Sequence, residues 1–251
     1  VRAALALGAA LVAASTTVAH GERLTVVVST PEVQITSNFT GTAVTVLGVI
    51  DGATEALLEG GYKVAVAVLG PPETVVARRK DPILGLWVNS ASATIIGAPS
   101  FYALDTNDRP GVIASAATLT RLGLGFDNIA RSFQSPGDKD NAEFHQAYVR
   151  LKSEAGLFAE GMGVTFIGDT IFRSTVWLPA NISEGNYTVL AYLFAGQELL
   201  ANAETSLTVS KIGIEETVAS FATNQALIYG VFCVTLSLFI GWLGGVIFRR
   251  D

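Results

Sequence analysis

Two histidines, His20 and His145, and one cysteine, Cys233, are the only imidazoles and thiol in the 251 residues. One cysteine cannot close an intramolecular disulfide, and a structural zinc site usually takes four Cys or His ligands. With so few ligands and general bases, metallohydrolase and Ser-His-Asp chemistry are not expected. We assign no catalytic residue, no metal ligand and no cofactor. His145, beside Phe144, has no second histidine or cysteine near it and reads as a partly buried or surface residue.

Pattern tests agree. G-x-S-x-G, H-E-x-x-H and Walker A motifs do not occur. Gly123-Leu124-Gly125 lacks the third glycine of a dinucleotide fingerprint and follows a helical stretch. Asp105-Thr106-Asn107-Asp108 opens like a calcium loop, but Pro110 stands where an EF-hand needs glycine. Asp138 and Asp140 fail because Ala142 occupies the third ligand position. Both acidic clusters read as solvated turns. Asn38, Asn181 and Asn186 each begin an N-x-S/T triplet, which matters only in a eukaryotic secretory pathway.

Two patterns remain. Arg78, Arg79 and Lys80 form the densest basic cluster and are anion-contact candidates, since guanidinium groups grip oxyanions bidentately. The simpler reading is a solvated strand end paired with Asp81 or Glu73. The second pattern lies near the C-terminus. Ala226, Gly230, Cys233, Ser237, Gly241 and Gly245 follow at intervals of three or four. On a helix they fall within an arc of about 120°. Gly241 and Gly245 make a GxxxG, the kind of small-residue face that lets two helices approach closely in lipid. Leu236, Phe239 and Leu243 lie opposite, toward lipid.

That face needs a membrane helix, and residues 226–248 supply an uncharged apolar run. Its length of about 35 Å is enough to cross a bilayer. A buried core helix is the alternative, but such helices are rarely this long without a polar break. Arg249 and Arg250 follow, and Glu215 and Glu216 precede, so the C-terminus is expected in the cytoplasm. The tail 249–251 is expected to be all that lies there. At the other end, Arg2 precedes an apolar run over 3–14, and Thr17-Val18-Ala19 fits a cleavage site. This reads as a signal peptide over 1–19 rather than a short anchor. Val1 in place of Met means an unusual start codon or residues missing upstream.

The totals fit this address. Apolar residues make up 50% and charged residues 15%, below the roughly 25% of a soluble domain. Net charge is −6. Without Arg2, Arg249, Arg250 and Asp251 the body keeps 13 basic and 21 acidic residues. That excludes a nucleic-acid footprint and argues against general adhesion to anionic lipid.

The body, from residue 20, divides into a β-rich part (20–108), a helical insertion (109–160), a second β-rich part (161–212) and a juxtamembrane segment (213–225). Short Val- and Thr-rich runs at 24–29, 33–36, 43–50, 62–69, 74–77, 84–88 and 93–96 predict strands. Pro71-Pro72 and Asp81-Pro82 are expected to break them. Residues 111–122 predict one helix. A second is predicted from Asp140, capped with Glu143, through the recurrence of Phe144, Tyr148, Leu151 and Ala155 to a stop at Gly156. Strands resume at 164–167 and 170–178, joined by a two-residue Gly168-Asp169 hairpin turn. Tyr187 then starts an alternating strand after a glycine-containing turn, as in immunoglobulin-like sandwiches, and 205–209 is a last strand. The expected fold is mainly β: an immunoglobulin-like β-sandwich-type body with an inserted helical hairpin, plus one C-terminal transmembrane helix. Whether the strands make one sandwich or two stays open.

Five stretches carry a resemblance: VQITSNFTGTAVTVLG (33–48), ARRKDPILGLWVN (77–89), PSFYAL (99–104), FIGDTIFRSTVWLPANISEGNYTV (166–189) and GWLGGVIFRRD (241–251). On these the chain resembles the putative transmembrane protein family of alphaproteobacteria. The resemblance implies a signal peptide, an extracytoplasmic body and one C-terminal span in the inner membrane, facing the periplasm. It carries no catalytic residue onto this chain. Family members are often encoded beside a sulfite-exporter-type permease, which implies a transport partnership.

The expected function is a non-catalytic, inner-membrane-anchored periplasmic accessory or binding protein. Its partners are the lipid bilayer and, through the helix, a membrane protein or a second copy. A membrane-tethered periplasmic enzyme with an unrecognised site is the alternative. A pocket joining Asp105 and Asp169 would favour it.

Overall fold

The computed structural model describes residues 21–53, 61–136, 141–212, 222–223 and 225–247. The signal peptide, Asp138, Asp140, most of the juxtamembrane segment, Arg249 and Arg250 lie outside the described residues.

Among the described residues, twelve strands form two facing sheets and a hairpin. One sheet has the order β1 (Arg23–Val28), β3 (Gly41–Asp51), β10 (Ile171–Pro179), β9 (Thr165–Phe166). The other runs β2 (Glu32–Ile35), β12 (Glu198–Lys211), β11 (Gly185–Ala195), β4 (Lys63–Leu69), β7 (Tyr102–Thr106), β8 (Phe158–Gly161). β5 (Pro72–Ile83) and β6 (Leu86–Pro99) pair with each other, and β6 adds an isolated bridge from Ile96 to Gln134.

Alternation builds the interior. On β10, Phe172, Ser174, Val176 and Leu178 are buried, while Arg173, Thr175 and Trp177 face out. On β3, Val44, Val46, Gly48 and Ile50 turn inward. They meet Val64, Val66 and Val68 of β4 and Tyr187, Val189, Ala191 and Leu193 of β11. β4 is buried on both sides, because Ala65 and Ala67 face a second core. Small alanines there let helices pack close to the sheet. The one fully buried hydroxyl of β10, Ser174 Oγ, donates to Asp105 Oδ2 on the facing sheet at 2.6 Å.

In chain order the two sheets match strands A-B-E-D and A′-G-F-C-C′-C″, the arrangement of a variable-type immunoglobulin sandwich. β2 runs parallel to β12, as A′ does to G. Tyr187 donates its hydroxyl to the Ser183 carbonyl at 2.7 Å, the tyrosine corner at the start of strand F. Burial raises this phenol's pKa to about 12. Two residues on, where antibody domains carry a cysteine, stands Val189, buried with Val46 in the same core. The strands thus make one sandwich.

Two insertions depart from that plan. The β5–β6 hairpin lies between C and C′. Between C′ and C″ the described residues form four helices: α1 (Pro110–Ile113), α2 (Ala116–Leu122), α3 (Phe126–Ser132) and α4 (Ala142–Glu154). Because this crossover replaces a hairpin, β8 pairs parallel with β7. The expected helix over 111–122 is interrupted at Ala114, and Ser115 caps α2 by accepting from Thr118 N–H. Gly123 closes it at φ 65°. α4 ends in a Schellman motif, with Gly156 left-handed and Leu157 N–H donating to the Lys152 carbonyl. Its buried face is Tyr148 and Val149, whereas Leu151 is exposed.

Other expectations are corrected. Pro72 and Pro82 lie within β5 instead of breaking it. A strand paired on one side only tolerates the missing N–H. The runs at 74–77, 84–88 and 93–96 are therefore parts of two long strands, and Leu84 is a turn residue. β7 and β8 were not expected. The turn after β9 has three residues, closed by Ile167 N–H to the Ile171 carbonyl. Thr170 is drawn out of a two-residue turn because its carbonyl accepts from Ile50 N–H of β3.

Candidate functional site

Arg78, Arg79 and Lys80 lie on β5, in the distal half of the hairpin. The root of that hairpin is fixed. Ala93, Ile95 and Ala98 are buried under the helices. Glu73 Oε1 accepts from Tyr148 Oη at 2.6 Å and pairs with Lys152 Nζ at 2.7 Å. Lys152 also lies 5.3 Å from the Tyr148 ring centre and donates to the Ser100 carbonyl. Burial, then the Glu73 carboxylate, pushes the Tyr148 phenol well above its ordinary pKa, so it stays a donor. This cluster clamps the hairpin to α4.

Beyond the clamp the hairpin rises out of the body. Arg79 pairs with Glu143 of α4 at 2.7 Å and with Asp81 at 3.4 Å. Arg78 and Lys80 are exposed and make no ion pair among the described residues. Between β5 and α4 lies an open groove of about 740 Å³, lined by Val76, Arg78, Phe144, Tyr148, Arg150 and Leu151. Every residue from Pro82 to Ser90 is exposed. The apex is a two-residue turn, Leu84 at φ 50° and Gly85 at φ 82°, between the paired Ile83 and Leu86. Two positive φ values make it a type I′ turn, which favours Asn or Gly over a bulky side chain. Leu84 is 100% exposed, Leu86 71% and Trp87 70%.

The acidic positions do structural work. Asn107 closes the neighbouring edge by accepting from Val64 N–H and donating to the Tyr62 carbonyl. Asp108 pairs with Lys63 at 2.9 Å, and that hydrogen bond holds its pKa below the usual range. Asp105 is held by Ser174 and packs against Gly163, where a methyl group would come within 2.6 Å of Oδ2. Asp169 lies exposed in the turn before β10. Neither Asp105 nor Asp169 lines the groove between β5 and α4. His145 contacts Ser135 Oγ at 2.8 Å and the edge of Phe133. No group of three or more His, Cys, Asp and Glu that could hold a metal occurs among the described residues.

The apolar helix α5 (Ala226–Ile247) stands apart from the body, with a 20-residue span over Ala226–Gly245 that is long and apolar enough to cross a membrane. Ala226, Gly230, Gly241 and Gly245 are exposed and Cys233 is partly so. Ser237 donates its hydroxyl to the Cys233 carbonyl at 2.8 Å, so this polar group is satisfied within the helix.

Sequence reading singled out the basic cluster and the helix face. It missed the hairpin apex, although ILGLWV between Pro82 and Asn89 was a signal: six apolar or glycine positions with no alternation.

A family model described as "Putative transmembrane protein (Alph_Pro_TM)" matches residues 23–250. No curated protein matches the chain. Fourteen chains of solved structures match. One is domain 1 of VCBP3 from Branchiostoma floridae, 10% identical over 76% of this chain and 97% of that chain, with a TM-score of 0.27.

Proposed function

The chain belongs to this transmembrane protein family, and from that premise we propose that it is a non-catalytic accessory or binding protein of the bacterial inner membrane. The body stands in the periplasm and the C-terminus in the cytoplasm, a topology supported by Arg249 and Arg250 after the span. The sandwich presents the groove between β5 and α4 to the periplasm. The helix docks on a membrane protein, of which a sulfite-exporter-type permease is the first candidate, or on a second copy.

The observation that carries the reading is the uncovered small-residue face of α5. Between Ala226 and Gly245 its candidate span is 0% buried against the body. Such a face leaves a shallow trough that branched lipid chains fill poorly and another helix fills well.

The test is co-purification of the full-length protein from its native membrane in mild detergent, with mass identification. The expected result is a stoichiometric membrane protein or a dimer, lost in Gly241→Leu while membrane insertion persists. Association unchanged by Gly241→Leu would refute the role of this face. A monomer from the native membrane would refute the accessory reading.

A further inference from the structure

We propose that the tip of the β5–β6 hairpin, residues 83–88, seats in the headgroup boundary of an anionic bilayer, with Arg78 and Lys80 against lipid phosphates. The proposal is independent of any partner for the membrane helix.

Three observations meet here. The first is composition. Ile83, Leu84, Leu86, Trp87 and Val88 are all exposed on one projecting element. A leucine occupies the apex at φ 50°, where a smaller or polar residue would be unstrained. Local strain kept at an exposed point, together with a tryptophan, fits an element selected for contact with an interface.

The second is charge. The body as a whole is acidic, but this element is not: within residues 77–90 three basic residues stand against Asp81 alone. Arg79 is engaged by Glu143 and Asp81, which leaves Arg78 and Lys80 exposed and without an ion pair among the described residues. Fields in salt reach only about 10 Å, so the local sign governs contact at the tip. A basic band behind an apolar tip matches phosphates above acyl chains.

The third is position. Thr188 of β11 pairs with Leu69, the last residue of β4, and Gly185 pairs with Val209 near the end of β12. Pro71, at the hairpin root, packs on Gly185, where a methyl group would come within 3.0 Å of its Cγ. The hairpin is therefore rooted at the end of the sandwich from which the chain leaves for the membrane. Fourteen residues separate Lys211 from Ala226. Fully extended they reach about 50 Å, against about 40 Å for the twelve residues of β5. The tether is long enough for the hairpin to span the gap between body and bilayer.

The experiment places an environment-sensitive fluorophore on Leu84→Cys, in full-length protein with Cys233→Ser, reconstituted alone into vesicles. Glu198→Cys, the first residue of β12 beside the β11–β12 turn at the far end of the sandwich, is the reference. In vesicles containing phosphatidylglycerol, spin-labelled lipid is expected to quench the probe at 84 at least threefold more than at 198. Arg78→Gln with Lys80→Gln is expected to lower the ratio of inserted to free tip by about thirtyfold, at about 1 kcal/mol per charge. Both changes are on exposed positions, and an unchanged circular dichroism spectrum checks the fold. A probe at 84 that stays in water in anionic vesicles overturns the proposal. So does one shielded only in native membranes, which would assign the tip to a protein partner.

Discussion

Replacing Gly48 with alanine should destabilise the body by about 1–3 kcal/mol, the range for overfilling a packed core. Gly48 on β3 pairs with Phe172 on β10, and the Phe172 ring, fully buried, lies across the glycine. A methyl group there would sit 2.7 Å from Cε2 and nearer still to Cζ and Cε1. Carbon atoms in contact keep roughly 3.5–4.0 Å, so the nearest ring atom must retreat by about 1.5–2 Å. It cannot do so freely, because Phe166 packs on it edge-on at 6.1 Å. For a body of this size the loss corresponds to a fall in Tm of about 2–12 °C. Thermal unfolding of the detergent-solubilised full chain measures it. The double variant Gly48→Ala with Phe172→Leu should lose less than the two single losses added together, because the smaller side chain makes room for the methyl. Strict additivity, or a Gly48→Ala loss under about 0.5 kcal/mol, would refute the packing described.

Three more outcomes follow from the same geometry. Tyr187→Phe removes the hydrogen bond to Ser183 and should cost about 1 kcal/mol, read as a lower urea midpoint with unchanged slope. Glu160, on an exposed stretch of β8, accepts from Phe126 N–H at the start of α3, and partial desolvation of its carboxylate raises its pKa. A raised carboxylate pKa means the folded state holds the proton longer, so stability falls as pH rises from the ordinary Glu value through the raised one. Glu160→Gln should flatten that slope, measured as urea midpoint against pH; an unchanged slope would acquit Glu160. Leu84→Asn relieves the positive φ at the hairpin apex and should raise stability by about 0.5–1 kcal/mol while weakening contact with anionic vesicles. Calorimetry and the quenching assay would read the two effects, and a loss of stability would refute the strain.

Much of this fold was readable where side-chain pattern and backbone demand coincide. The Val-Ala alternation of β4, the tyrosine at the start of β11 and the glycines closing α2 and α4 each state a local requirement that the structure keeps. The misreadings share a cause, which is pairing outside the local window. Pro72 and Pro82 look like breakers until β5 is known to pair on one side only. Thr170 reads as strand until β3 is seen to claim its carbonyl. β8 carries no signal of its own, because four residues acquire strand geometry only through β7. The basic cluster was visible, but not that Arg79 is spoken for while Arg78 and Lys80 are not. That division depends on Glu143, sixty-four positions away.

The parallel pairing of β2 with the last residues of β12 bears on mechanics. Any pull transmitted from the membrane anchor enters the body through Lys211, along the axis of β12. Thr208 to Lys211 are bonded to β2 on one side, and β11 bonds the strand along its other side. Strand hydrogen bonds lie across the chain direction, so such a load shears many of them together instead of unzipping them in turn. The body can thus be held under tension from its anchor with its C-terminal strand in place.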